Sequence, residues 1–132
     1  MIVIGFDGKE YNWPPNGHIT YENELRKRSS PHLRCRKILN ELFSASIILE
    51  EVPLPGSDKL RADFVIIPNK IVVEVHGEQH YKFIPFFHGT KIKFFEGLSR
   101  DKKKIEWCNE NNIKVVELPY YESDEQWRAR FS

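Results

Sequence analysis

Asp63, Glu74, His76, Gln79, His80 and Asp101 are the residues of this chain whose types and spacing suit chemistry better than packing. The stretch KIVVEVHGEQHY, Lys70 to Tyr81, opens with the valines of a buried strand, then admits Glu74, His76, Glu78, Gln79 and His80. Side chains alternate across a strand, so Val72, Glu74 and His76 share one face while Ile71, Val73 and Val75 share the other. A strand that only fills a core has no use for a carboxylate and an imidazole two places apart. The preceding segment, RADFVII, carries Asp63. A turn symmetric about Pro68-Asn69 sets Ile67 against Lys70 and, counting outward, Asp63 against Glu74.

Facing carboxylates destabilise a sheet by roughly 0.2–1 kcal/mol, and by more where water is excluded. A shared proton or a bound divalent cation would compensate. Hard oxygen ligands with open coordination positions point to Mg²⁺, with Mn²⁺ as its substitute. An imidazole on the same face can accept a proton from water or donate to a phosphate oxygen. Together these groups suit metal-assisted hydrolysis of an anionic substrate. The plain alternative for Glu74-Val75-His76 taken alone is a surface ion pair on an edge strand. A zinc site at His76, His80 and His88 is a looser alternative, because no cysteine joins it at a suitable spacing.

The elements that must position these residues follow from the pattern. Residues 1 to 28 read as an irregular or weakly β arm, with turn chemistry at Asp7-Gly8 and around Pro14 to Gly17. Ser29-Ser30-Pro31 predicts a helix start, and Leu33, Ile38, Leu39, Leu42 and Phe43 give the apolar face of a helix over about 31–44. Strands are predicted over 46–52, 61–67 and 70–76. Residues 82–97 read as a loop leading into a short helix. Ser99-Arg100-Asp101 opens a helix that ends near Asn111 or Asn112, and 113–118 forms a last strand stopped by Pro119. Strands in close succession suit an antiparallel meander, whereas a helix followed by a strand crosses over and adds a parallel neighbour. The expected fold class is α/β: a central mixed four-stranded sheet flanked by helices in the order αβββαβ, with residues 29–120 as the core and 121–132 as a tail.

At 132 residues, 40% hydrophobic and 13% aromatic, the chain is one globular domain that needs no metal or disulfide staple. It has no apolar run of bilayer length and no signal-peptide pattern, so no membrane partner is expected. Cys35 and Cys108, far apart, read as free thiols of a reducing compartment, which makes the cytosol the expected location. Net charge is +1, but cations cluster at Arg26-Lys27-Arg28, at Arg34, Arg36 and Lys37, and at Lys102, Lys103 and Lys104. Such stripes are compatible with phosphate binding and equally with solvated helix faces.

Asp63 followed by Glu74-Val75-His76 in this element order resembles the PD-(D/E)XK nuclease superfamily, with histidine in the lysine slot. Residues 61–80 are similar to small restriction-like nucleases carrying Glu-Val-Asp-Gly-x-x-His, matched by Glu74, Val75, Gly77 and His80. They are also similar to the very-short-patch mismatch repair endonucleases and related phage homing endonucleases. That resemblance implies Asp63 and the Val75 carbonyl as metal ligands, with Glu74 joining them on the wider superfamily pattern. It implies His76 as the catalytic histidine, and Asp101 as the residue that orients His76 or a metal-bound water. The implied reaction is Mg²⁺-dependent hydrolysis of a DNA phosphodiester. Gln79 and His80 then face phosphate or the leaving group, and Arg34, Arg36, Lys102, Lys103 and Lys104 are candidate backbone contacts. Two departures stand out: His32 occupies the first-helix position where those families carry glutamate, with Glu24 as another source, and against the mismatch-repair branch His80 sits one place early, with Tyr81 in the matching position. Tyr81, Phe83, Phe86 and Phe87 either cap the core or wedge into a base stack.

Overall fold

A computed structural model of the protein describes residues 1–15 and 29–132, so Tyr21, Glu24 and the Arg26-Lys27-Arg28 cluster lie outside the described residues. The chain begins with a small antiparallel hairpin, β1 (Ile2–Ile4) with β2 (Glu10–Asn12). Helix α1 (Ser30–Leu42) follows; the Ser29 side chain caps it by accepting the His32 N–H. Then come β3 (Ile47–Pro53), β4 (Arg61–Ile67) and β5 (Ile71–His76), two single-turn helices α2 (Glu78–Tyr81) and α3 (Pro85–His88), the long α4 (Lys91–Glu110), β6 (Lys114–Pro119) and α5 (Asp124–Ala129).

The main sheet has the order β3-β4-β5-β6. The first three strands are antiparallel neighbours, whereas β6 lies parallel to β5 because α4 carries the chain back along the sheet. A four-stranded mixed sheet between helices is the α/β class expected. Two cores form, one on each face. Val65 and Val72 join Trp107 and Cys108 of α4, together with Val3 and Trp13 from the N-terminal segment. On the other face Phe64, Ile66, Val73 and Leu118 pack on Cys35, Ile38 and Leu39 of α1 and on Trp127 of α5.

Two segments differ from the sequence reading. The helix expected to open at Ser99 begins at Lys91, because Thr90 caps it by accepting the Lys93 N–H. Ile92 and Phe95 are exposed there, so the first turns carry no apolar stripe to betray them. The supposed tail folds as α5, whose Trp127 is fully buried and donates its indole N–H to the Pro119 carbonyl at 2.7 Å. Ser123 and Gln126 close a capping box at its start.

Candidate active site

The β4–β5 ladder pairs Ile66 with Ile71, Val65 with Val72 and Phe64 with Val73, the register counted outward from Pro68-Asn69. One step further, side chains take over from the ladder. The Asp63 N–H donates to Glu74 Oε2 at 2.8 Å, and the Val75 N–H donates to Asp63 Oδ2 at 2.8 Å. Each carboxylate therefore reaches across to the partner strand's backbone, and the strand ends part around the pair. On the outer side, Glu50 opposite Phe64 and Val52 opposite Ala62 put Glu51 level with Asp63.

Glu74 is only 3% exposed, and its Oε1 accepts a hydrogen bond from Lys104 Nζ at 2.9 Å. Burial and then the Asp63 charge push the Glu74 carboxyl up to about 8, against the pull of Lys104. Burial opposes the Lys104 charge, but Glu74, Asp63 and Asp101 hold its ammonium above the ordinary value. A third compensation for the facing carboxylates thus joins the proton and the cation expected from the sequence: an ammonium delivered from α4. Lys104 faces inward, not toward solvent as a backbone contact.

His76 points to the same face, 5% exposed, with its Nε2 2.9 Å from Glu117 Oε1. An ionised carboxylate only accepts, so Nε2 carries the hydrogen and the neutral ring keeps Nδ1 as its acceptor. Burial, then the neighbouring His80, hold the His76 pKa below the ordinary histidine value. The His76 and His80 rings stack at 3.7 Å with planes 19° apart. His80 Nδ1 lies 2.9 Å from Asp101 Oδ2, and Lys104 Nζ lies 3.8 Å from Asp101 Oδ1. Burial would raise the Asp101 carboxyl, but the His80 hydrogen bond and Lys104 hold it below the usual range. The direct contact expected between Asp101 and His76 is made instead with His80, and Glu117 orients His76.

Sequence alone does not single out Glu117. Its signal is one carboxylate in the apolar run IKVVEL, which the parallel register sets opposite Glu74. The Val75 carbonyl can be placed by alternation. The His76 carbonyl accepts the Tyr120 N–H at 2.8 Å on the β6 side, so the Val75 carbonyl faces β4, as its N–H does toward Asp63.

Asp63, Glu74, His76, His80, Asp101 and Lys104 line a cavity of about 260 Å³, with Gln79 on its wall and Phe87, His88 and Phe94 on one side; Glu117 lies behind His76, outside the lining. His88 is committed elsewhere: its Nε2 meets the Gln79 carbonyl and its Nδ1 accepts the Ile84 N–H. Among the described residues no group of three His, Cys, Asp or Glu side chains is arranged to hold a metal ion. Phe83 and Phe94 pack around His88, while Phe86 is 99% exposed and Phe87 and Tyr81 are exposed as well.

The other candidate cations lie apart. Arg34 covers the Trp127 ring at 3.7 Å and engages Asp124 and the Glu122 carbonyl. Arg36 pairs with Glu50 through two hydrogen bonds, and Glu50 also meets His32 Nε2 at 2.6 Å. His32 stacks on Phe64, so this network occupies the α1 face, across the sheet from Glu74 and His76. Burial alone would raise Glu50, but His32 and Arg36 bring its carboxyl down to about 2. The first-helix position therefore adds nothing to the Asp63–Glu74 site. Lys102 pairs with Glu106 at 4.0 Å, and Lys103 sits by Phe6 and Trp107.

Two viral proteins are similar to this chain. Uncharacterized protein 307L of invertebrate iridescent virus 6 is 31% identical over 126 residues, covering 81% of this chain and 64% of its own length. Uncharacterized protein 033L of invertebrate iridescent virus 3 is 42% identical over 116 residues, covering 83% of this chain and 59% of its own. The chain spans about three fifths of the length of these curated relatives. No family model matches it. No solved structure matches it either. Among the described residues no helix is long and apolar enough to cross a membrane.

Proposed function

We propose that the Asp63–Glu74–His76 end of the sheet hydrolyses phosphodiester bonds in DNA with the help of a divalent cation, as an endonuclease on a restriction-endonuclease-like scaffold. The observation that carries this reading is the pair of reciprocal side-chain hydrogen bonds that opens β4 from β5 beside a buried histidine.

The residues fit Mg²⁺, which binds through one or two carboxylates and keeps positions for water and substrate phosphate. Asp63 Oδ1 has no hydrogen-bond partner among the described residues, and the Val75 carbonyl faces the same opening. Asp63 and Val75 would hold the ion; both Glu74 oxygens are already engaged, by Lys104 and by the Asp63 N–H. When bound, the ion would offset the carboxylate repulsion and draw charge from a phosphate oxygen. His76 Nδ1 takes the proton of the attacking water, and Glu117 keeps the ring in the tautomer that leaves Nδ1 free. The Gln79 amide donates to a phosphate oxygen, and His80, held by Asp101, stacks on the His76 ring and keeps it in place.

The test is conversion of supercoiled plasmid to open-circular or linear DNA in Mg²⁺, comparing the native protein with His76→Ala. A loss of about 10²- to 10⁴-fold is expected for the variant. Equal rates from both proteins would remove His76 from the reaction. The pH profile gives a further check. Because the His76 pKa lies below the ordinary value, the native rate falls on acidification with a midpoint below 6.5. Glu117 raises that pKa, so Glu117→Gln moves the midpoint to still lower pH and slows the reaction on the plateau above the midpoint, where His76 is already the free base. A midpoint moving upward would contradict the assignment.

A second reading, a nucleic-acid-binding module without catalysis, draws on one observation: Lys104 already pairs with Glu74, in the place of a metal cation. It predicts DNA binding with no cleavage in Mg²⁺ or Mn²⁺.

A further inference from the structure

The cavity at Asp63 continues beyond that residue. A second hollow of about 510 Å³ shares Asp63, Gly97, Arg100, Asp101 and Lys104 with the first and runs on to Glu51, Lys59 and Arg61. The two make one groove, which extends from the end of β5 across β4 to the loop that joins β3 to β4.

Charge along this groove is organised. Its middle is acidic, with Glu51, Asp63, Glu74 and Asp101. Lys93 lies toward one end, Lys59 and Arg61 at the other, and Arg100 borders both hollows. Among the described residues no carboxylate forms an ion pair with Lys59, Arg61, Lys93 or Arg100, in contrast to Arg34, Arg36 and Lys104. A small anion would settle at one cationic end, and a cationic ligand would avoid both ends. An extended polyanion fits throughout, provided that one of its charged units meets a cation at the acidic middle.

Arg61 precedes Asp63 by two residues on β4, so both side chains leave the same face, about 7 Å apart along the strand. A phosphate held by Arg61 is then the neighbour, along a nucleic-acid backbone, of a phosphodiester placed at Asp63. We propose that Lys59 and Arg61 form a phosphate-binding arm that seats the substrate strand one step beyond the bond at Asp63. This assignment rests on the hydrolytic reading and specifies how its substrate lies. It also moves the backbone contacts from α1 to the β3–β4 loop and the start of β4.

The test reads binding in EDTA, by fluorescence anisotropy of short fluorescein-labelled single-stranded DNA, duplex DNA and RNA, and separately plasmid cutting in Mg²⁺. The double variant Lys59→Gln/Arg61→Gln is compared with Lys9→Gln/Lys114→Gln, which removes two exposed lysines outside the groove. The groove variant should bind its best probe at least tenfold more weakly. Its slope of log affinity against log salt should also shrink by about 0.7–0.9 for each cation removed. Arg61→Lys keeps the charge and should keep the slope, and the best-bound probe identifies the strand type. Affinity and slope equal to those of the control pair would overturn the arm. If the groove variant loses binding while the native protein never cuts DNA, the arm stands and hydrolysis falls. If the native protein cuts and the groove variant binds and cuts as the control does, hydrolysis stands and the arm falls.

Discussion

Asp63→Asn is expected to abolish Mg²⁺-dependent cleavage and, at the same time, to raise the melting temperature of the metal-free protein at pH 8. The amide keeps the shape of the carboxylate, and its carbonyl oxygen can still accept the Val75 N–H. What it removes is the charge facing buried Glu74, a repulsion of about 1 kcal/mol at most for charges directly opposite on neighbouring strands. For a domain of this size that corresponds to about 4 °C. The sign with pH follows from Glu74. Its folded pKa, about 8, lies above the ordinary 4.5, so the folded state binds the extra proton between these values. Native stability therefore falls as pH rises from about 4.5 to about 8. The substitution relieves part of that loss, and its benefit should shrink at pH 6, where Glu74 is protonated in both proteins. Melting curves followed by circular dichroism at the two pH values check this. A lower melting temperature at both would mean that the Asp63 charge holds the strand ends together instead of straining them.

Lys104→Met should do the reverse, at larger cost. The methionine fills the volume of the lysine stem but leaves the Glu74 carboxylate buried beside Asp63 with no cation. Breaking one partner from a buried pair costs about 3 kcal/mol when the survivor stays charged. Glu74 can escape by taking a proton, so the loss should be largest above pH 8 and small near pH 6. The double variant Lys104→Met/Glu74→Gln isolates the pair: it should recover about 2 kcal/mol of the loss at pH 8. A loss independent of pH, with no recovery in the double variant, would show that Lys104 acts through packing alone.

Much of the sheet can be read from local chemistry. Ser29 and Pro31 mark the start of α1, and the valines of β5 with Asp63 eleven residues before Glu74 give a register that the ladder repeats. What escapes is long-range. Lys104 belongs to a lysine run on a helix, and nothing local tells that it turns toward Glu74 while Lys102 pairs with Glu106 on the outside. Glu117 becomes meaningful only once β6 is known to lie parallel to β5. Arg34 and Arg36 look like a phosphate-binding cluster in sequence, and only the packing of α1 against α5 and β3 shows their carboxylate partners. The start of α4 is hidden because Phe94 packs on His88 while its neighbour Phe95 is exposed.

Conflict between stability and chemistry is concentrated at one place. A carboxylate pushed up to about 8, a facing aspartate and a buried imidazole all lie within the same few residues of β4 and β5. A domain selected for stability alone would remove such an arrangement by a single substitution, and this expectation supports a functional site there.

The measurement that tests the account most directly is plasmid cleavage by the purified protein with Mg²⁺, with EDTA, and with Asp63→Asn in parallel. Hydrolysis that requires both the metal and the Asp63 carboxylate is the predicted result. Intact plasmid after incubation with folded, DNA-binding protein in Mg²⁺ and in Mn²⁺, or equal cutting by Asp63→Asn, would contradict it.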